Sequence, residues 1–188
     1  MARFNVRLMV VVSAVALLMQ GCAGQKIDYS QQPAADVSSA VVTADSEFDS
    51  SKSYLSPALK ASGQSGGQPW FEYLLQAHVS KKTGETTYVA TIVASYDGRW
   101  KFYGSASLPG GKTKIVTPLD SDVIYCGSIT CYYREILAIG FLKEELVAAA
   151  KGGGLRIRLG AKNGDRDIIE YPAAYVAGFL AAVPVDRQ

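Results

Sequence analysis

The sequence predicts a mainly β protein: an antiparallel β-sandwich or open barrel of about eight short strands, with one or two C-terminal helices. Three observations carry that expectation. Apolar and polar residues alternate with period two in several runs between Phe71 and Tyr171, as half-buried strands require. Turn-forming pairs, among them Asp97-Gly98 and Asn163-Gly164, separate those runs. A helical period appears late, with Leu142, Leu146 and Ala149 on one face.

The chain divides into three parts: residues 1–21, 22–68 and 69–188. Arg3 and Arg7 precede an apolar run from Leu8 to Met19 that ends in Gln20-Gly21-Cys22. The run is too short to span a bilayer as a helix, which takes about 20 residues, and it suits a signal-peptide core. Residues 1–22 resemble a bacterial lipoprotein signal, with Leu18-Met19-Gln20-Gly21-Cys22 carrying the likeness. That resemblance implies cleavage before Cys22, a thioether-linked diacylglycerol on its sulfur and stable membrane anchoring. Gln20 stands where such signals favour a smaller residue. Ala23, in place of an Asp that often marks inner-membrane retention, implies an outer-membrane address facing the periplasm. The whole chain has 19 Lys+Arg and 17 Asp+Glu. Loss of Arg3 and Arg7 with the signal would leave the charges balanced, which argues against a nucleic-acid partner held by bulk charge.

From Ala23 to Gln68, Ser, Gln, Ala, Asp and Gly dominate and no period persists. The expectation is a flexible tether with a reach of roughly 35–40 Å. Within it, Ser56-Pro57 reads as a helix start, with Tyr54, Leu55 and Leu59 docking on the domain. Gly63-Gln64-Ser65-Gly66-Gly67 matches the G-x-S-x-G nucleophile pattern. That motif needs a strand before it and a helix after it. Here it lies in a Gly/Ser-rich stretch before a strand, and it reads as linker.

The folded domain is expected to begin near Pro69. Phe71, Tyr73, Leu75, Ala77 and Val79 form one strand face, and Tyr88, Ala90, Ile92, Ala94 and Tyr96 a second. Asp97-Gly98 then predicts a hairpin into a third strand. That strand places Trp100, Phe102, Gly104, Ala106 and Leu108 on one face, with Lys101, Tyr103, Ser105 and Ser107 opposite. A shorter strand over Lys112–Pro118 follows the Pro109-Gly110-Gly111 turn. Asp122–Cys126 and Cys131–Ile139 then flank a four-residue loop. Facing strand positions lie about 4.5 Å apart between Cα atoms, so Cys126 and Cys131 are expected to form a disulfide in an exported protein. A helix over Leu142–Lys151 ends at Gly152-Gly153-Gly154. Leu155, Ile157 and Leu159 alternate with Arg156 and Arg158, and Asp167–Tyr171 returns. Residues 173–183 read either as a closing helix opened by Pro172, or as a loop and a last strand.

Cys126, Cys131, the helix through Leu146, the glycine stop, the strand Leu155–Leu159 and Pro172…Gly178-Phe179 follow one another in order. This layout resembles that of the invasion-associated locus B family of exported bacterial proteins. The resemblance covers roughly the last 60 residues and rests on order and spacing. It implies no enzymatic mechanism and carries no functional residue onto this chain.

No catalytic residue, metal site or cofactor is assigned. His78 is the sole histidine, on the polar face of a strand. Gly110-Gly111-Lys112-Thr113 ends like a P-loop, but Ala106 stands where its first glycine belongs and a strand follows. Asp120 with Asp122 and Asp165 with Asp167 are carboxylate pairs, in turns where Asp is favoured anyway. Eleven Tyr, six Phe and two Trp make aromatic contact the stronger theme. The candidate binding surface is Trp100, Tyr103, Tyr132 and Tyr133 with Arg134, Arg156 and Arg158 beside them. Together these features lead to the expectation of a membrane-anchored envelope lipoprotein acting as a non-enzymatic binding or assembly module. Its partners would be the membrane, through lipid on Cys22, and an envelope protein or glycan. The other reading is an envelope hydrolase acting on glycan or peptide through carboxylates.

Overall fold

The computed structural model describes residues 27–67 and 69–184. The expected signal, with Cys22 and its flanks, lies outside the described residues. The chain is mainly β: ten antiparallel strands form one open sheet, and helices pack on it. The strands are β1 (Val42–Ala44), β2 (Ser51–Leu55), β3 (Leu59–Ser62), β4 (Trp70–Ser80), β5 (Thr86–Gly98), β6 (Tyr103–Ser107), β7 (Thr113–Cys126), β8 (Cys131–Phe141), β9 (Leu155–Ala161) and β10 (Arg166–Tyr171). The α-helices are α1 (Ala34–Ser39), α2 (Lys143–Lys151) and α3 (Ala173–Ala182). The sheet order is β1-β2-β4-β5-β8-β7-β6-β9-β10, with β3 also pairing to β4.

Period-two burial sets the layers. Phe71, Tyr73, Leu75 and Ala77 of β4, and Tyr88, Ala90, Ile92, Ala94 and Tyr96 of β5, are buried on one face. Leu155, Ile157 and Leu159 of β9 and Ile169 and Tyr171 of β10 are buried in the same cluster. The sheet curls so that its two halves face each other. The Tyr73 and Tyr171 rings meet edge to face at 4.9 Å, and the Tyr73 hydroxyl donates to the Glu170 carbonyl at 3.1 Å. Tyr175, Val176 and Phe179 of α3 and Leu146 and Ala149 of α2 fill the space between. Residues 173–183 therefore resolve as a helix, with Pro172 immediately before it. In α2, Glu145 accepts the Leu142 N–H at 2.9 Å and also pairs with Lys112 and Lys114. Burial pushes its carboxyl up, but these partners outweigh that and hold it at about 2.

Several sequence-based expectations are overturned. The stretch expected as a tether carries α1 and β1–β3. Polar composition misled here because the segment draws its order from backbone pairing and a few apolar anchors. β2 and β3 both pair with β4, and Val37, Tyr54 and Leu59 enter the core. Ser56-Pro57 does not start a helix. Ser56 is buried between β2 and β3, where its hydroxyl donates to the Leu75 carbonyl at 2.9 Å, accepts the Leu75 N–H at 2.8 Å and meets the Tyr175 hydroxyl at 2.5 Å. Asp97-Gly98 does not turn a hairpin. β5 pairs with β4 and β8, and the chain crosses to the far half of the sheet, where β6 pairs with β7 and β9. The predicted strands before and after Leu119 are one strand, β7, bent by irregularities at Pro118/Asp120 and Val123/Tyr125.

The contact between α1 and α3 tests this docked arrangement. A Cβ at Gly178 would lie 2.4 Å from the Ala34 carbonyl oxygen and 2.7 Å from Val37 Cβ. On an isolated helix Gly178→Ala would stabilise by about 1 kcal/mol. In this fold it is expected to cost a net of about 1–3 kcal/mol in chemical denaturation, through overpacking. A stabilised Ala variant would mean that α1 is not seated on α3.

Candidate functional site

Among the described residues, four that are polar or charged are buried: Ser56, Lys101, Glu135 and Asp167. The last three form a network beneath one end of the sheet. Asp167, on β10, accepts from the backbone N–H of Gln64 at 2.8 Å and of Ser65 at 3.0 Å. It also accepts from the Ser65 hydroxyl at 2.5 Å and the Tyr103 hydroxyl at 2.7 Å. Lys101 is 1% exposed. Its Nζ donates to Ser65 Oγ at 2.7 Å and Asp165 Oδ2 at 2.5 Å. Glu135, on β8, accepts from the Tyr96 hydroxyl and from the Phe102 and Tyr103 N–H groups at 2.9 and 3.1 Å. Burial, with the Glu135 carboxylate, pushes the Tyr96 phenol up. Burial, with Asp167, does the same to Tyr103.

This arrangement brings Ser65 of the G-x-S-x-G loop against a lysine, which the sequence did not reveal. It does not assemble a nucleophile. A serine–lysine pair needs the amine free to accept the hydroxyl proton. Here Lys101 donates to Ser65 and is ion-paired with Asp165, while the Ser65 proton is given to Asp167. Burial raises the Asp167 carboxyl, but the bonds from Ser65, Tyr103 and the loop backbone outweigh it and hold it below the usual range. The hydrogen bond from Lys101 is the main cause lowering Asp165. A glycoside-cleaving pair needs one raised acid, and neither Asp165 nor Asp167 supplies it. Among the described residues no group of three or more His, Cys, Asp or Glu stands together as a metal site.

The network instead displays aromatic side chains. Phe102 has φ 49°, the one non-glycine residue in the left-handed region among the described residues. That conformation costs roughly 1–2 kcal/mol. Buried Lys101 and Tyr103 on either side, with Glu135 on two successive N–H groups, hold Phe102 there. Its ring is 44% exposed. It stacks on Trp100 at 5.2 Å and 18°, and Lys162 Nζ lies 5.4 Å from its centre. Trp100 in turn contacts Tyr133 at 4.5 Å. The result is an aromatic shelf on one side of the β7–β8 hairpin.

The hairpin forms the margin of this half of the sheet: β8 stays paired to β5 as far as Cys131, while on β7 and the turn every residue from Thr117 to Thr130 is exposed. Cys126 and Cys131 join its strands with Cα atoms 4.0 Å apart. β6 pairs with β7 only through Thr113–Ile115, so no described strand covers the outer edge of β7 beyond that point. Leu119, Val123, Ile124 and Tyr125 are exposed along it, and Ile129 at the tip is 97% exposed. On the face opposite the shelf, Tyr125 and Tyr132 stack at 5.7 Å. They line a depression of about 210 Å³ with Gly67, Asp97 and Thr130.

The sequence-predicted surface is therefore split. Trp100 and Tyr133 belong to the shelf and Tyr132 to the opposite face. Tyr103, expected outward, is core: a register shift between Tyr103 and Ser105 turns its side chain inward. Arg134 sits between Asp120 at 3.9 Å and Asp122 at 3.6 Å. Arg156 and Arg158 lie on β9 in the other half of the sheet. Cross-strand register aligns Arg158 with Ser107 and Thr113, about 40–45 Å along β7 from the hairpin tip. Phe102, Val123, Ile124, Tyr125 and Ile129 were not among the expected surface residues. For the last four the signal was apolar residues crowded around a cysteine pair that already marked a strand end; for Phe102, set outward by its left-handed backbone, the sequence carried none.

Replacement of Asp167 by Asn puts an amide where four donors converge. Asp167→Asn is expected to lose about 2–3 kcal/mol in urea denaturation at pH 7. The native carboxyl is held below its ordinary value of 3.8. Its contribution is therefore complete above about pH 4 and is lost as pH falls through the lowered value. The variant should show a shallower loss of stability from pH 5 to pH 2, and an unchanged acid limb would remove Asp167 from this role.

No family model, no curated protein and no solved structure matches the chain.

Proposed function

We propose that this protein is a lipid-anchored envelope lipoprotein that works without catalysis, as a docking module for another envelope protein. One observation carries the docking: a disulfide-stapled hairpin that exposes apolar side chains on both faces and leaves one strand edge unpaired. Large apolar residues held clear of a core mark interaction sites, and a free strand edge offers backbone hydrogen bonds to a second polypeptide. That edge favours a protein partner over a glycan, whose hydroxyls cannot continue a strand ladder. The anchor is supported by the apolar run that ends in Gly21-Cys22. The Cys126–Cys131 bond agrees with an oxidising compartment. Ala23, in place of an inner-membrane Asp, supports an outer-membrane position facing the periplasm in a source with two membranes.

Two measurements check this reading. Cys22→Ser should move the protein from the membrane pellet to the soluble fraction, and full retention would sink the lipid anchor. A photoreactive phenylalanine analogue at Tyr125 or Ile129 should cross-link one discrete protein in intact cells, whereas the same analogue at Thr87 should not. Cys126→Ser with Cys131→Ser should lower that yield with the fold intact, since a short loop closure contributes only about 2–3 kcal/mol. Equal cross-linking from all three positions would overturn the docking role.

A further inference from the structure

The outer face of the β7–β6–β9–β10 half carries a second feature, far from the hairpin tip. Strand register places Thr113, Ser107, Arg158 and Ile168 in one row and Ile115, Ser105, Gly160 and Arg166 in the next. Two adjoining depressions of about 280 and 230 Å³ share Ser107 and Arg158. The first also takes in the Gly110-Gly111 turn and Arg156, and the second takes in Ser105, Thr113 and Arg166. Gly160 keeps the floor open: a Cβ there would lie 2.4 Å from Ser105 Oγ.

The charges in this hollow are not balanced. Arg156 is paired with Glu170 at 2.7 Å, and Lys112 and Lys114 are both taken by Glu145. Arg158 and Arg166 have no carboxylate within ion-pairing distance among the described residues. Arg158 is also oriented. Its Nε–H donates to Ser107 Oγ at 3.1 Å, which leaves the outer edge of the guanidinium free. The Ser105 hydroxyl is given to the Gly160 carbonyl at 3.3 Å, but two guanidinium forks flanked by the Ser107 and Thr113 hydroxyls still offer several donors to one small acceptor. That donor set suits a tetrahedral oxyanion better than a planar carboxylate, because guanidinium forks and hydroxyls can reach several of its oxygens at once.

We infer that this hollow is an anion site for a phosphate group, either free phosphate or the phosphodiester of a lipid headgroup. The inference is independent of the hairpin and its partner. The test follows the arginine Nε–Hε signals by NMR on the full chain in dodecyl maltoside micelles. Inorganic phosphate, glycerophosphoglycerol and phosphatidylglycerol mixed into the micelles are added in separate titrations. Arg158 and Arg166 should shift together and saturably, while Arg99, exposed at the end of β5, should not. Saturation by inorganic phosphate identifies a free-anion site, and saturation only by the diester or the lipid identifies a headgroup site. Arg158→Ala with Arg166→Ala should weaken binding about tenfold or more by calorimetry, with the thermal midpoint unchanged because both side chains are exposed. Equal shifts at Arg99, linear unsaturated shifts, or binding indifferent to the double variant would each overturn the site.

Discussion

A carboxylate taken out of water must have its acceptor sites filled, and the core end of this sheet is built around two that are. Asp167 gathers the 64–65 backbone, the Ser65 hydroxyl and the Tyr103 phenol. Glu135 gathers the Tyr96 phenol and two backbone N–H groups. Between them they tie β5, β6, β8, β10 and the loop ahead of β4 into one unit. A buried charge left unpartnered would be costly, so these partners constrain one another's positions. Because β5 and β6 are not neighbours in the sheet, the Tyr96 hydroxyl and the Tyr103 N–H can meet the same carboxylate, Glu135, only if the chain makes the crossing between Gly98 and Tyr103. The polar network and the strand order are two statements of one constraint.

Strain and display follow from that constraint. Short spacing between buried Lys101 and buried Tyr103 leaves Phe102 no inward position and a left-handed backbone. The aromatic shelf is thus a product of how the core is satisfied. The hairpin beyond it is anchored on one side only: β8 stays paired to β5 as far as Gly98 and Cys131, while the outer strand, β7 from Thr117 on, is held by that ladder and by the disulfide. Its outer side chains can therefore serve a surface without weakening the packing.

Much of the architecture was legible because it is local. Alternation in β4, β5 and β9, the amphipathic α2 and the Cys126–Cys131 pairing all depend on residues near one another in sequence. What was illegible is non-local. Period two tells which side chains share a face, but not which strand lies beside which, so Asp97-Gly98 looked like a hairpin turn. A single register shift beside Gly104 exchanged the faces of β6, and with them the fates of Tyr103 and Lys101. The polar span from Tyr29 to Ser62 read as unstructured because its order comes from β4's edge and from Val37, Tyr54 and Leu59, too few apolar residues to form a pattern. Ser65 lay in a stretch that read as linker, and its contact with Lys101 and Asp167 joins residues far apart in the chain and has no sequence signature. Arg158 could be recognised as a surface cation. That neither it nor Arg166 has a carboxylate within ion-pairing distance among the described residues is a property of the folded surface alone.

The packing of α1 against α3 also alters the geometry of the proposed attachment. A leash that ended at Pro69 would let the domain roam through a large volume above the bilayer. The first described element is the turn at Tyr29–Gln31, and only a handful of residues lie between it and Cys22. Even fully stretched they span about 25 Å. The domain would then ride close over the headgroups, confined nearly to two dimensions. In that layer any partner in the same membrane is met at a raised local concentration, and partners beyond the layer have to come to it.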